Sequence, residues 1–223
     1  MSGALLRYQT ALLMRSQRWL APVLLYAAFL AVGVQSGQPV LDSLGYAAAV
    51  LLPAGAWLAR VCVTNEPDAA RHCAAAATSP ARVHLSSLLA ALLCTAALGV
   101  LGTVLVTAIS RAVSSDNKVL IPLLPAAGAG LLAALTCALI GTAVGALCTW
   151  PLLRGTGWSL AATALGALLT LVVTGSPAHA AVSGLVTGSH TGVVHTPVLP
   201  LVAAAVIAGG AAAVAGALSS RRG

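Results

Sequence analysis

VLIPLLPAAGAGLLAALTCALIGTAVGALC, residues 119 to 148, contains no charged side chain and decides the class of this protein. A helix needs about 20 predominantly apolar residues to cross the hydrocarbon of a bilayer, and this stretch exceeds that length. It therefore predicts a membrane-spanning helix, and the chain on both sides of it repeats the pattern.

Five other apolar stretches of similar character occupy residues 19 to 36, 41 to 62, 84 to 110, 156 to 175 and 197 to 218. The whole chain is 59% hydrophobic and only 7% charged. A water-soluble domain of that composition would lack the polar surface needed to cover itself. We therefore predict an all-α integral membrane protein, residues 1 to 223, with six transmembrane helices in a single transmembrane domain.

The cations predict the orientation of these helices, because short cytoplasmic loops carry an excess of Lys and Arg. An N-terminus on the inside places nine cations on the inner face and two on the outer, so both termini are predicted to be cytoplasmic. The excess of Arg over Lys and the richness in Ala and Gly suggest a bacterial plasma membrane. The pI near 9.8 reflects this orientation and gives no reason to expect nucleic acid. The inner cations are Arg7, Arg15, Arg18, Arg60, Arg71, Arg82, Arg154, Arg221 and Arg222, and the outer ones are Arg111 and Lys118.

Residues 3 to 18 predict a helix in the membrane interface. At helical spacing Arg7, Arg15 and Arg18 share one sector, and leucines occupy the other side. The arginines would meet anionic lipid head groups, and the leucines the acyl boundary. The alternative is a charged leader that only fixes orientation.

The only substantial cytoplasmic insertion lies between the second and third spans and predicts a short helix over residues 65 to 78. Asn65 is a candidate N-cap, Asp68 adds negative charge near the positive end of the helix dipole, and Arg71 follows. Ser79 and Pro80 are expected to end the helix. Such a helix would suit the grip of a soluble motor, and a simple connecting hairpin is the competing interpretation.

Small residues in the fourth span predict close helix packing. Gly141 and Gly145 form a small-xxx-small pattern, which lets backbones approach in lipid. We interpret it first as packing within the bundle and second as a dimer face. Pro53, inside the second span, is expected to kink that helix.

Residues with catalytic or ion-coupling chemistry are scarce. No Asp, Glu, Lys or Arg falls in the middle of a span, so neither a proton relay nor a buried catalytic carboxylate is expected. His179, His190 and His195 share the outer loop, residues 176 to 196, but fit no compact metal motif. That loop is apolar enough to re-enter the membrane if protein surrounds it. No phosphate-binding loop occurs, so any ATP must bind another chain.

At four points this layout resembles the membrane-spanning subunit of an ABC-2 type exporter. These are the basic helix at 3 to 18, the six spans, the inner helix with Asn65, Glu66, Asp68, Arg71 and His72, and the loop at 176 to 196. The wording of RYQTALLMRSQRWLAPVLLYAAFLAVG, residues 7 to 33, and LDSLGYAAAVLLP, residues 41 to 53, is also similar to such permeases. The short outer loops depart from larger members of the family.

The resemblance implies a permease subunit that is not itself an enzyme and binds no cofactor. Two copies, or one copy and a related subunit, would enclose a pathway for a lipophilic or amphipathic substrate, in contact with membrane lipids. A separate nucleotide-binding subunit would hold ATP and Mg and push on the helix at 65 to 78. Two alternatives remain open: a non-transporting scaffold subunit, and a membrane enzyme using the outer histidines with a metal.

Overall fold

The computed structural model describes residues 3–116, 118–149 and 156–222, and these residues form helices and connecting segments without a β-strand. The side chains of Asp68, His72, Thr156, Ser220, Arg221 and Arg222 are not described. The helices are α1 Gly3–Ser16, α2 Leu20–Gly33, α3 Val40–Thr64, α4 Asp68–Ala77, α5 Pro80–Ile109, α6 Leu123–Leu147, α7 Thr156–Val172, α8 Pro177–Thr191 and α9 Val198–Arg222.

Four of these helices, α3, α5, α6 and α9, are long and apolar enough to cross a membrane. The pair α7 and α8 passes the same test together but is bent by 47°, so the described chain holds four or five candidate spans. Several apolar helices of this length are consistent with a multi-pass membrane protein. The first predicted span, residues 19 to 36, contains only the 14-residue helix α2, which is about 21 Å long and shorter than the hydrocarbon core.

α3 lies at the centre of the bundle, where it contacts α2, α5, α6, α7 and α8. Its partner α6 approaches it backbone to backbone. A Cβ atom on Gly141 would lie 2.5 Å from the Leu52 carbonyl oxygen, and one on Gly145 would lie 2.5 Å from the Ala56 carbonyl oxygen. The Gly141 and Gly145 pattern therefore packs inside the bundle, as its first interpretation held. Pro53 remains within the single helix α3.

Glycines also receive large side chains where α2 and α5 join this centre. The Tyr26 hydroxyl of α2 occupies the space beside Gly102 of α5, and the ring of Tyr46 in α3 occupies the space beside Gly33 of α2. A Cβ atom at either glycine would collide with the tyrosine. Each tyrosine ring thus packs into the space that a glycine leaves on the neighbouring helix, and small residues allow such close packing between membrane helices.

Two ends of the bundle can be named by residues that lie there. At the α4 end, the two connections of α4 meet the start of α5, and Gly216 of α9 faces Ala81 and Leu85. At the Asp42 end, α3 begins, the Gly37 N–H donates to the carbonyl of Ile109 at the end of α5, and the Val40 N–H donates to the Arg111 carbonyl just after it. The described N-terminal helix and the last turns of α9 both belong to the α4 end.

Helix boundaries differ from the predicted ones where a serine precedes a proline. Ser79 caps α5 by accepting the N–H of Arg82 at 3.3 Å, and Pro80 occupies the first turn, so α5 starts before residue 84. Ser176 caps α8 in the same way, with Pro177 next. The loop predicted at 176 to 196 thus contains a helix. It ends at Gly192, whose φ of 73° favours glycine.

Replacing Gly145 by Ala is expected to lower the free energy of unfolding by about 1–3 kcal/mol, because the added methyl would force α6 away from α3. The same change at Gly128 of α6 meets open space and should be neutral or stabilising, since Ala favours a helix over Gly. Unfolding of the purified protein by SDS titration in mild detergent measures both. Equal effects at the two positions would contradict this packing.

Candidate docking surface at the α4 end

α4 is a ten-residue helix held between α3 and α5 by very short connections. Pro67 is its N-cap and supplies no side-chain bond, whereas Thr78 closes it by donating its backbone N–H to the Ala74 carbonyl at 3.1 Å. Helix α4 therefore packs against α5 as well as following α3 in the chain.

Glu66, predicted to contact a motor, is instead buried beneath α1, with 5% of its surface exposed. The Gln9 side chain donates a hydrogen bond to Glu66 Oε2 at 3.1 Å, and Glu66 Oε1 has no partner among the described atoms. Burial raises the pKa of Tyr8, and the nearby charge of Glu66 raises it further. Glu66 therefore ties α1 to the junction between α3 and α4.

The prediction that Asn65 caps α4 is wrong, because the side chain turns towards α1. Its Nδ2 donates to the Leu12 carbonyl at 3.3 Å, while α4 starts only at Asp68. Both Asn65 and Glu66 thus bond to α1, whose buried face is formed by Gln9 and Leu13.

Arg71 fastens α4 to the end of α3. Its guanidinium donates to the Val63 carbonyl at 2.8 Å and to the Glu66 carbonyl at 3.4 Å. The last carbonyls of a helix have no partner within that helix, so a cation is well placed here. Like Asn65 and Glu66, Arg71 acts within the chain in this structure.

The outward face of α4 is made of small side chains. Ala69, Cys73, Ala76 and Ala77 are exposed, and Pro67 just before the helix is exposed as well. Their three- and four-residue spacing places the helical members on one side. We call Pro67, Ala69, Cys73, Ala76 and Ala77 the α4 face. The side chains of Asp68 and His72, two predicted contacts, lie outside the described ones.

The arginines of the predicted interfacial helix are exposed. Arg7 and Arg15 of α1 are exposed, and so is Arg18, which follows the helix. Leu13 on the opposite side packs into a cluster with Ala59, Cys62 and Leu88. Helix α1 thus presents cations outward while its other face covers the bundle.

At the Asp42 end a second polar cluster connects three segments. Ser115 donates its hydroxyl to Asp42 Oδ2 at 2.7 Å and shares a 2.8 Å hydrogen bond with the Ser189 hydroxyl. The Ser115 N–H also donates to the Ser189 carbonyl. This cluster pins the end of α8 to the start of α3.

The outer histidines are not brought together as a metal site. His179 Nδ1 lies 2.8 Å from the Leu171 carbonyl, and His195 Nδ1 lies 3.3 Å from the Val193 carbonyl. Among the residues that the structure describes, no group of three or more His, Cys, Asp or Glu could hold a metal ion.

Sequence reasoning missed Gln9, Asp42, Ser115 and the α4 face. Gln9 offered a signal, since a polar residue on the leucine side of α1 needs a buried partner. Asp42 and Ser115 offered none, because they are far apart in the chain and meet only through the fold. Searches against known protein families, curated proteins and solved structures found no match to this chain.

Replacing Gln9 by Ala is expected to lower the free energy of unfolding by about 1–3 kcal/mol, because the Glu66 carboxylate would stay buried without the hydrogen bond that Gln9 donates. In a double-mutant cycle, Glu66→Ala should recover part of that loss, with a coupling of about 0.5–3 kcal/mol. Thr10→Ala is the matched control, since the Thr10 hydroxyl bonds only to carbonyls of α1 itself. The rate of protease cleavage within α1 in the purified protein measures how far each variant releases α1 from the bundle. Strictly additive effects would rule out the contact.

Proposed function

We propose that this chain is the membrane-spanning subunit of an ABC-2 type exporter. The observation that carries the proposal is α4, a short helix at one end of the bundle that Arg71 bonds to the end of α3 and that packs on α5. In this proposal a separate nucleotide-binding subunit docks on the α4 face and hydrolyses ATP. The chain itself forms the pathway for a lipophilic or amphipathic substrate, together with a second copy or a related permease.

Six crossings are part of the proposal, with α2 as the first. Trp19, which precedes α2, packs against the cluster at the α4 end, and the Gly37 N–H beyond α2 donates to the Ile109 carbonyl at the Asp42 end. Residues 19 to 37 therefore connect the two ends of the bundle although the regular helix is short. The bent pair α7 and α8 counts as one crossing.

The distribution of cations supports placing the α4 end in the cytoplasm of a bacterial cell. The described side chains Arg7, Arg15, Arg18, Arg60, Arg71 and Arg82 belong to elements of the α4 end, whereas Arg111 and Lys118 belong to the other end. A cytoplasmic excess of Lys and Arg is the general rule for short loops. With this orientation both termini are cytoplasmic and the α4 face meets soluble ATP-binding partners.

The small side chains of the α4 face support close docking. Ala69, Cys73 and Ala76 leave the backbone of α4 accessible to a groove on a partner, a common mode of helix recognition. The contacts of Glu66 and Arg71 inside the chain then give α4 firm attachments through which movement passes to α1 and α3.

Purification of the tagged chain from its native membrane in mild detergent, with an assay of ATP hydrolysis, tests the proposal. We expect a co-purifying subunit with a phosphate-binding loop and vanadate-sensitive ATPase activity. Cys73→Trp should reduce recovery of that subunit about tenfold, the effect of losing about 1.4 kcal/mol of interface energy. Ala203→Trp, at an exposed position of α9, is the control. Recovery of the chain with partners that bind no nucleotide would favour the scaffold alternative.

A further inference from the structure

An apolar groove of about 280 Å³ lies between α5, α6 and α9 in the half of the bundle nearer the α4 end. Its walls include Leu85, Leu89 and Leu92 of α5, Leu139 of α6, and Gly209 and Ala212 of α9. Thr142, a polar residue in the lining, bonds its hydroxyl to the Leu139 carbonyl of its own helix. The Thr142 hydroxyl is therefore already hydrogen-bonded, so it does not disfavour an apolar ligand in the groove.

The groove runs along the helices rather than across them. From Leu85 to Leu92 it follows α5 for about 10 Å, at a rise of about 1.5 Å per residue. On the antiparallel α9 it extends over a similar length, from Ala205 to Ala212. An elongated apolar slot parallel to candidate membrane spans matches the shape of part of an acyl chain.

A cation stands at the end of this groove. Arg82 precedes Leu85 by three residues, and Leu89 and Leu92 continue the same helical face, so Arg82 occupies the next turn towards the α4 end. Arg82 is exposed, and its guanidinium has no hydrogen-bond or ion-pair partner in the part of the chain that the structure describes. Side chains of a helix lean towards its N-terminus, which directs Arg82 out of the groove to head-group level.

The three helices that form the groove contribute no acidic side chain, because the four acidic residues of the chain all belong to other segments. Helix α9 meets the start of α5 near the groove, where Gly216 faces Ala81 and Leu85. Basic pockets between membrane helices bind anionic lipid head groups.

We propose that the groove between α5, α6 and α9 binds one anionic phospholipid, with an acyl chain along Leu85, Leu89 and Leu92 and its phosphate beside Arg82. This site requires the membrane placement of α5, α6 and α9 but does not depend on export or on an ATPase partner. The lipid would fill the space that the sparsely buried helix α9 leaves open, since only 17% of its apolar window is buried.

Native mass spectrometry of the delipidated full-length protein tests the site with two lipids of identical acyl chains, phosphatidylglycerol and phosphatidylcholine. The wild type should bind phosphatidylglycerol about fivefold more tightly, the effect of one arginine at a membrane surface. Arg82→Gln should remove this fivefold preference, so that both lipids bind with about the affinity that the wild type has for phosphatidylcholine. Lys118→Gln, which removes an exposed cation at the Asp42 end, should leave the preference unchanged.

Filling the groove tests the acyl position separately. Gly209→Leu should lose one bound lipid of either kind, and Ala205→Leu, which narrows the groove from a second position, should act likewise. Gly210→Leu is the matched control, because both glycines are exposed with open space at the Cβ position but only Gly209 lines the groove. Equal lipid counts for the Gly209 and Gly210 variants, or equal wild-type affinity for both lipids, would overturn the assignment.

Discussion

Backbone contact between α3 and α6 is the constraint on which the rest of the bundle depends. Apolar burial does not drive helices together in lipid as it does in water, so close approach of backbones must supply the attraction. Gly141 and Gly145 allow that approach, with the Leu52 and Ala56 carbonyls in the space where side chains would otherwise stand. Once α6 fixes one side of α3, the helices α2, α5, α7 and α8 pack around its remaining surface.

The α4 end follows a different principle, because polar contacts rather than close packing join its parts. Glu66 is buried and accepts the Gln9 amide, Asn65 donates to the Leu12 carbonyl, and Arg71 bonds to the end of α3. Burying a carboxylate is unfavourable unless hydrogen bonds compensate, so these contacts hold α1 in one position. Asn65, Glu66 and Arg71, predicted to contact a partner, thus form contacts within the chain, and the small residues of the α4 face are the exposed ones.

The sequence predicted the features that arise from local periodicity and composition. The helical class, the long apolar helices, the short helix near 65 to 78 and the packing role of Gly141 follow from patterns within one segment. It could not predict the partners of Asn65 and Glu66, because those partners lie on α1, more than 50 positions away in the chain. The start of α5 at Pro80 and the presence of α8 in the predicted loop were both indicated by a serine before a proline, at Ser79 and at Ser176, but the strong hydropathy of the neighbouring residues outweighed both signals.

The central claim is that the α4 face meets a cytoplasmic motor, and the exposed thiol of Cys73 tests it most directly. In a variant that keeps Cys73 and replaces the other four cysteines by Ala, a membrane-impermeant maleimide is applied to sealed vesicles of both orientations. The account predicts no labelling in right-side-out vesicles, and labelling in inverted vesicles only after peripheral proteins are stripped with urea. Labelling from the outside, or labelling of inverted vesicles that stripping does not increase, would contradict it.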